Sequence, residues 1–142
     1  MQATRRLFDV ENLEMAYGKT KAVRSVSFHL DAGETFGIVG ESGSGKSTIA
    51  KALLLLEPLA GGTILYKGKD ISRFSAAGRK AYRHEVQMVF QDATGSLNPR
   101  MTIRQMLCEA VAASPSSASP EAKIRDLLDL AGLPAPILDQ YP

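Results

Sequence analysis

The run Gly40-Glu41-Ser42-Gly43-Ser44-Gly45-Lys46-Ser47 satisfies the pattern G-x-x-x-x-G-K-[ST] at every fixed position. Such residues suit one kind of chemistry, the holding of a polyphosphate. Gly40 and Gly45 allow backbone angles that a side chain forbids, so the chain can curl. Successive N–H groups from Gly43 to Ser47 then converge on an anion, and a helix opening near Lys46 aims its positive end at the same spot. The Lys46 ammonium is expected at the β- and γ-phosphates of a nucleotide. The Ser47 hydroxyl is expected on Mg²⁺, a cation that takes hard oxygen ligands, and Thr48 at the α-phosphate. The candidate contacts are therefore Gly40, Ser42, Gly43, Ser44, Gly45, Lys46, Ser47 and Thr48. The plain alternative is a glycine-rich turn joining strand to helix. The flanks favour phosphate binding, because an apolar strand precedes the run and a helix follows it.

The elements that must position this loop follow from periodicity and turn residues. Residues 7–10 and 13–17 read as two short strands. Residues 23–30 read as a third, with Val26, Phe28 and Leu30 on one face. A turn at 31–34 leads to a short apolar strand, 35–39. Beyond the loop, residues 46–56 read as a helix closed by Pro58. Gly61-Gly62 is a turn into a strand at 63–66, and residues 67–70 make another turn. Residues 75–83 are expected to be helical, 85–90 a buried strand, and 91–100 a loop. Thr102 opens a helix with Gln105 as its capping-box partner. Residues 114–119 read as a flexible connector. Ser119 caps the next helix, with Pro120 at its first position. Ile124, Leu127, Leu128 and Ala131 form its apolar stripe, and Gly132 ends it. A β-rich first part joined to a helical second part makes the fold class α/β.

Composition bounds what this can be. The chain has 142 residues, 44% of them hydrophobic and 23% charged, enough for a domain with a core. With 17 basic and 15 acidic side chains, a net charge of +2 is too near neutral to make nucleic acid the main partner. Cys108 is the single cysteine, so no internal disulfide exists, which fits a reducing, cytoplasmic setting. The longest apolar run is residues 52–56, far short of a spanning helix. The basic N-terminus has no apolar stretch behind it and is read as lacking a signal peptide. Membrane association is therefore expected through a protein partner rather than by direct insertion.

Tyr17, the loop at 40–47 and Val86-Gln87-Met88-Val89-Phe90-Gln91-Asp92 occur in an order that resembles ABC transporter ATPases. Ser96-Leu97-Asn98-Pro99-Arg100-Met101-Thr102 is similar to the stretch in subunits that energise oligopeptide, dipeptide and nickel importers. The resemblance implies a P-loop NTPase core with an N-terminal antiparallel β-subdomain, within residues 1–92. The Q-loop and the start of the helical subdomain would occupy residues 93–142. It implies ATP and Mg²⁺ as cofactors, Tyr17 stacking on adenine, and Gln91 contacting Mg²⁺ or the attacking water. For Tyr17 the alternative is a ring packed at the sheet edge, and for Gln91 a polar residue at a strand end. Residues 91–101 would face transmembrane permease subunits, and a second ATPase subunit, identical or not, would complete the site. The location implied is cytoplasmic, peripheral on the inner face of the membrane. Ala93 stands where the family usually has proline, which loosens the loop without removing a chemical group.

The family's signature motif, its apolar strand ending in Asp-Glu and its switch histidine are not found among these residues. Leu59-Ala60-Gly61-Gly62 is only faintly like a signature. His29 and His84, in or beside strands, read as structural. The domain is thus expected to be truncated before the signature and, alone, to lack hydrolysis at a family-like rate. A non-transport ABC ATPase and a non-catalytic nucleotide-binding module are the alternatives.

Overall fold

The computed structural model describes residues 6–92, 94–113 and 119–142. The chain divides into two compact units, Met1–Met88 and Val89–Pro142.

In the first unit, strands β1 (Arg6–Tyr17) and β2 (Thr20–Asp31) pair antiparallel. With β3 (Gly61–Tyr66) and β4 (Lys69–Asp70) they form one sheet in the order β2-β1-β3-β4. Where the sequence pattern suggests two strands, at 7–10 and 13–17, the chain runs on as one bulged strand. Buried side chains change parity across it, from Phe8 and Val10 to Leu13 and Met15. Asn12 absorbs the change at φ 49°, its N–H donating to Ser27 Oγ at 2.8 Å. Gly62 faces this bulge, and a Cβ there would lie 2.4 Å from Asn12 O. Gly61 and Gly62 therefore belong to β3 rather than to a turn. The β3–β4 turn does fall at Lys67 and Gly68, both at positive φ, as a two-residue hairpin of matching twist requires.

Helix α1 (Lys46–Leu53) lays Ile49 and Ala52 against Val10, Leu13, Val23 and Ile64 in the core. It ends three residues earlier than the pattern predicts. Leu55 turns to φ 55°, and the Leu56 N–H bonds Lys51 O at 3.0 Å. Packing of Leu53 and Leu55 against the core offsets the left-handed conformation. Helix α2 (Ala76–Glu85) is capped by Ser75, whose hydroxyl accepts the Gly78 N–H at 3.2 Å. Its Tyr82 is buried and donates its hydroxyl to Leu53 O.

Two predicted strands do not form. Residues 35–39 and 86–90 join no ladder among the described residues. Val39 is 96% and Val89 93% exposed, so the expectation of a buried strand at 85–90 fails. Apolar runs of this kind suit strands flanked on both edges and both faces, and neither segment pairs with a strand of this sheet. Phe36 is nevertheless held by stacking on Phe28, with ring centroids 5.1 Å apart.

In the second unit, α3 (Ile103–Ala113) and α4 (Pro120–Ala131) enclose Val111, Ile124, Leu128 and Leu138. The capping box forms as predicted: Thr102 N–H donates to Gln105 Oε1 at 2.9 Å, and Gln105 N–H to Thr102 Oγ1 at 3.3 Å. Ser119 caps α4 through the Ala122 N–H. Gly132, at φ 67°, ends it, and the Leu133 N–H bonds Leu128 O at 2.9 Å. The apolar stripe is narrower than its spacing suggests. Ile124 and Leu128 are buried, whereas Leu127 and Ala131 are exposed, because α3 and the 3₁₀ turn Ala135–Asp139 cover only one strip of α4. An Arg104–Asp139 ion pair at 2.9 Å ties that turn to α3. The connector predicted at 114–119 lies, except for Ser119, outside the described residues, as does Ala93. Thr102→Ala is expected to destabilise this unit by about 1 kcal/mol, read as faster amide exchange in the first turn of α3 with α1 unaffected.

Candidate functional site

The loop at 40–47 is a curl that ends on a helix. The Ser44 N–H bonds Glu41 O at 3.2 Å and closes the bend. Gly43 stands at φ 81° and Gly45 at φ 96°. Gly45 is the N-cap of α1 and brings no side-chain hydrogen bond to it, and the first turn carries no acidic residue. The Ile49 N–H reaches Gly45 O at 3.0 Å, so the N–H groups of Lys46, Ser47 and Thr48 precede the first intrahelical bond of α1. Such an end attracts an anion through its N–H groups and its dipole.

The glycines serve for different reasons. Gly43 and Gly45 take left-handed angles. Gly40 does not; a Cβ there would lie 2.7 Å from Ser44 Oγ, so the hydroxyl would have to turn away. At Gly45 a Cβ would also lie 2.6 Å from Ala22 O. The β1–β2 register passes from Met15↔Val23 to Ala16↔Lys21, so Ala22 is an extra residue in β2. That bulge presses its carbonyl against the loop, a contact without a sequence signal beyond the alternation breaking near Ala22.

The Lys46 ammonium lies across the mouth of the curl. It donates to Glu41 O at 2.6 Å, Gly40 O at 2.8 Å and Ser44 Oγ at 3.3 Å. Ser42 and Ser47 are exposed, and Thr48 is half-buried on α1. Tyr17 ends β1 opposite Thr20, beside a turn with Gly18 at φ 58°, and the residue is 43% exposed. Ala22, two residues past Thr20, is the residue that touches Gly45.

Gln91 lies near the start of the second unit and is exposed. Behind it the 3₁₀ turn Thr94–Ser96 is anchored by Asp92, whose Oδ1 accepts the Gly95 N–H at 3.0 Å. Leu97 is 41% exposed, an apolar side chain presented by a polar loop. His29 is exposed on β2, and His84 is exposed on α2 rather than beside a strand. Among the described residues no three His, Cys, Asp or Glu side chains gather to hold a metal ion.

Residues 23–140 match the family model described as ABC transporter. The chain belongs to the ABC transporter family. It is 38% identical, over its whole length, to the dipeptide transport ATP-binding protein DppF of Lactococcus lactis subsp. cremoris (strain MG1363), covering 49% of that protein. It is 46% identical over 85% of its length to the oligopeptide transport ATP-binding protein OppF of Lactococcus lactis subsp. lactis (strain IL1403), covering 39%. AppF of Bacillus subtilis (strain 168), also an oligopeptide transport ATP-binding protein, is 44% identical over 88% of the chain, which covers 39% of it. The chain thus spans about half or less of the length of these relatives. Its fold is that of cbiO1 from Clostridium perfringens, part of the ABC transporter complex cbiONQ, at a TM-score of 0.76 over 96% of this chain and 54% of that one. At 24% identity that likeness speaks to the fold alone. No described helix of this ABC family member is long and apolar enough to cross a membrane.

Proposed function

We propose that this chain is the ATP-binding part of a subunit that energises import of peptides or a related small solute across a membrane. The observation that carries the reading is the Lys46 ammonium seated over a curled loop at the end of α1 that no side chain caps. A terminal phosphate group at that place would replace the carbonyl contacts of Lys46 with stronger, charge-assisted ones. The amides from Gly43 to Ser47 would hold its oxygens, with Ser42 and Ser44 on the rim and Thr48 toward the α-phosphate. Tyr17, exposed at its strand end, would stack on the adenine ring.

Mg²⁺ would take the Ser47 hydroxyl as a hard oxygen ligand, and the resemblance adds the Gln91 amide oxygen. Both are neutral oxygen donors. Phosphate oxygens and waters would fill most of the remaining positions of the ion. When bound, it neutralises charge on the transferred phosphoryl group. Gln91 and Lys46 would be the catalytic contributions of this stretch of chain, one orienting water and the other countering charge. Without the signature, the acid-ending strand and the switch histidine among its residues, the 142-residue chain alone binds ATP without turnover at a family-like rate.

The names of the relatives support peptides as the solute class. Residues 91–101, exposed for most of their length, would meet the transmembrane permease subunits. A second ATPase subunit, of the same or a different chain, would complete the site. The working location would be the cytoplasmic face of the membrane, peripheral and without insertion, and nucleic acid is not a partner. Isothermal titration of the folded chain with ATP is expected to give saturable, Mg²⁺-dependent binding. A folded chain that takes up no ATP overturns the reading.

A further inference from the structure

The stretch from the β3–β4 hairpin to the end of α2 is rich in charge. Residues 67–85 hold six Lys and Arg side chains against two acids, although the whole chain is only +2. Three of them, Lys67, Lys69 and Arg73, together with the acid Glu85, line a cavity of about 530 Å³ between the β3–β4 hairpin and α2, within the range of about 300–1,000 Å³ usual for small-molecule sites. None of its lining residues belongs to the phosphate loop.

Its wall is aromatic. Tyr66, Phe74 and Tyr82 meet edge to face, with Tyr66–Tyr82 centroids 5.0 Å and Phe74–Tyr82 centroids 5.7 Å apart. Both phenols are already engaged: Tyr66 donates to Glu85 at 2.8 Å, and Tyr82 to Leu53 O. Burial pushes both above the usual tyrosine range, so neither adds negative charge near neutral pH. Tyr66 and Tyr82 are buried and Phe74 is half-buried, so the wall is apolar and opens to a ligand chiefly at Phe74.

Its rim is cationic and unequally paired. Lys67 is bonded to Glu85 and lies 4.9 Å from the Tyr66 ring centre. Arg73 reaches Asp70 at 3.2 Å, yet its side chain is 85% exposed. Lys69 makes no ion pair among the described residues and faces the same cavity. Ser75 and Gly78, from the first turn of α2, line it as well, adding the positive end of that helix.

We propose that this cavity is a second ligand site, separate from the phosphate loop, for a small organic anion that carries a flat aromatic ring. The ring lies on the wall of Tyr66, Phe74 and Tyr82, and the anionic group meets Lys69 and Arg73 above the first turn of α2. The aromatic part supplies what a bare anion lacks, and the rim rejects neutral or cationic rings.

The test is a titration of the ¹⁵N-labelled chain with phenyl phosphate, and separately with inorganic phosphate and with phenol, read residue by residue. Saturable shifts are expected at the Lys69, Arg73 and Gly78 amides, with phenyl phosphate binding about ten-fold tighter than either fragment. Lys69→Glu, an exposed substitution, is expected to weaken it roughly ten-fold; Arg73→Glu is expected to act in the same direction. Both leave the Gly43 and Gly45 amides responding as before. Shifts confined to Gly43 and Gly45 mean that only the phosphate loop binds, and they overturn the proposal. It is equally overturned by no saturable shift at the three cavity amides, by inorganic phosphate binding as well as phenyl phosphate, or by affinity undiminished in both charge reversals.

Discussion

Lys46→Ala is expected to weaken ATP binding by about 10- to 100-fold, the worth of a charge-assisted contact to phosphate, while leaving the fold almost as stable as before. Lys46 is the only cation among residues 40–48, and Glu41 in the same run is negative. Removing the ammonium therefore leaves a loop whose own attraction for phosphate comes from backbone N–H groups and neutral hydroxyls. The ammonium's bonds to Gly40 O, Glu41 O and Ser44 Oγ lie at an exposed site. Water replaces them at a cost on the order of 1 kcal/mol or less. Lys46→Arg keeps the charge but replaces a compact ammonium with a planar fork, so it should recover only part of the affinity. Titration with ATP and a denaturant curve on the same samples separate the two effects. Unchanged affinity in the alanine variant would remove Lys46 from the site; a collapsed fold would assign it a structural role instead.

Gly45→Ala should be the most damaging single methyl group in the loop. The residue sits at φ 96°, and the added Cβ would lie 2.6 Å from Ala22 O and 3.2 Å from Val23 Cγ2. Ala22 has little freedom to retreat, because Lys21 and Val23 on either side are paired with β1. Left-handed strain and overpacking together predict a loss of about 2–4 kcal/mol. Gly43→Ala is the internal control. Its φ of 81° carries the same kind of strain, but nothing lies within 4 Å of the new Cβ, so the loss should be about 1 kcal/mol. Denaturant unfolding of the two variants decides the matter. Equal midpoints would mean that the β2 bulge does not hold the loop. Where Gly45→Ala remains folded, ATP binding should still fall, because the start of α1 must move to admit the methyl group.

The parts of the candidate site written in neighbouring residues were legible before any coordinates. The glycine spacing with Lys46 and Ser47, the Thr102–Gln105 box, the Ser119-Pro120 helix start and the Gly132 stop all depend on bonds within a few positions along the chain. Features that depend on distant partners were not legible. Asn12 gives no local sign that it will carry a bulge keeping β1 whole; that is set by Ser27 and Gly62 on the flanking strands. Leu55 looks like a helix residue until the core offers it a place. Residues 35–39 and 85–90 read as strands because they are mostly apolar, yet a strand exists only when a neighbour supplies the other half of its hydrogen bonds.

What this sequence determined unaided is the phosphate-loop pattern, the helix boundaries marked by caps, and membership in a nucleotide-binding family, because each is encoded at short range. The tertiary structure alone decided that the Ala22 carbonyl braces Gly45 and that Lys46 spans the mouth of the curl. It also gathered three cations, Lys67, Lys69 and Arg73, and three aromatic rings, scattered over residues 66–82, around one cavity. Pairing across a sheet brings together residues whose separation along the chain carries no record of the contact.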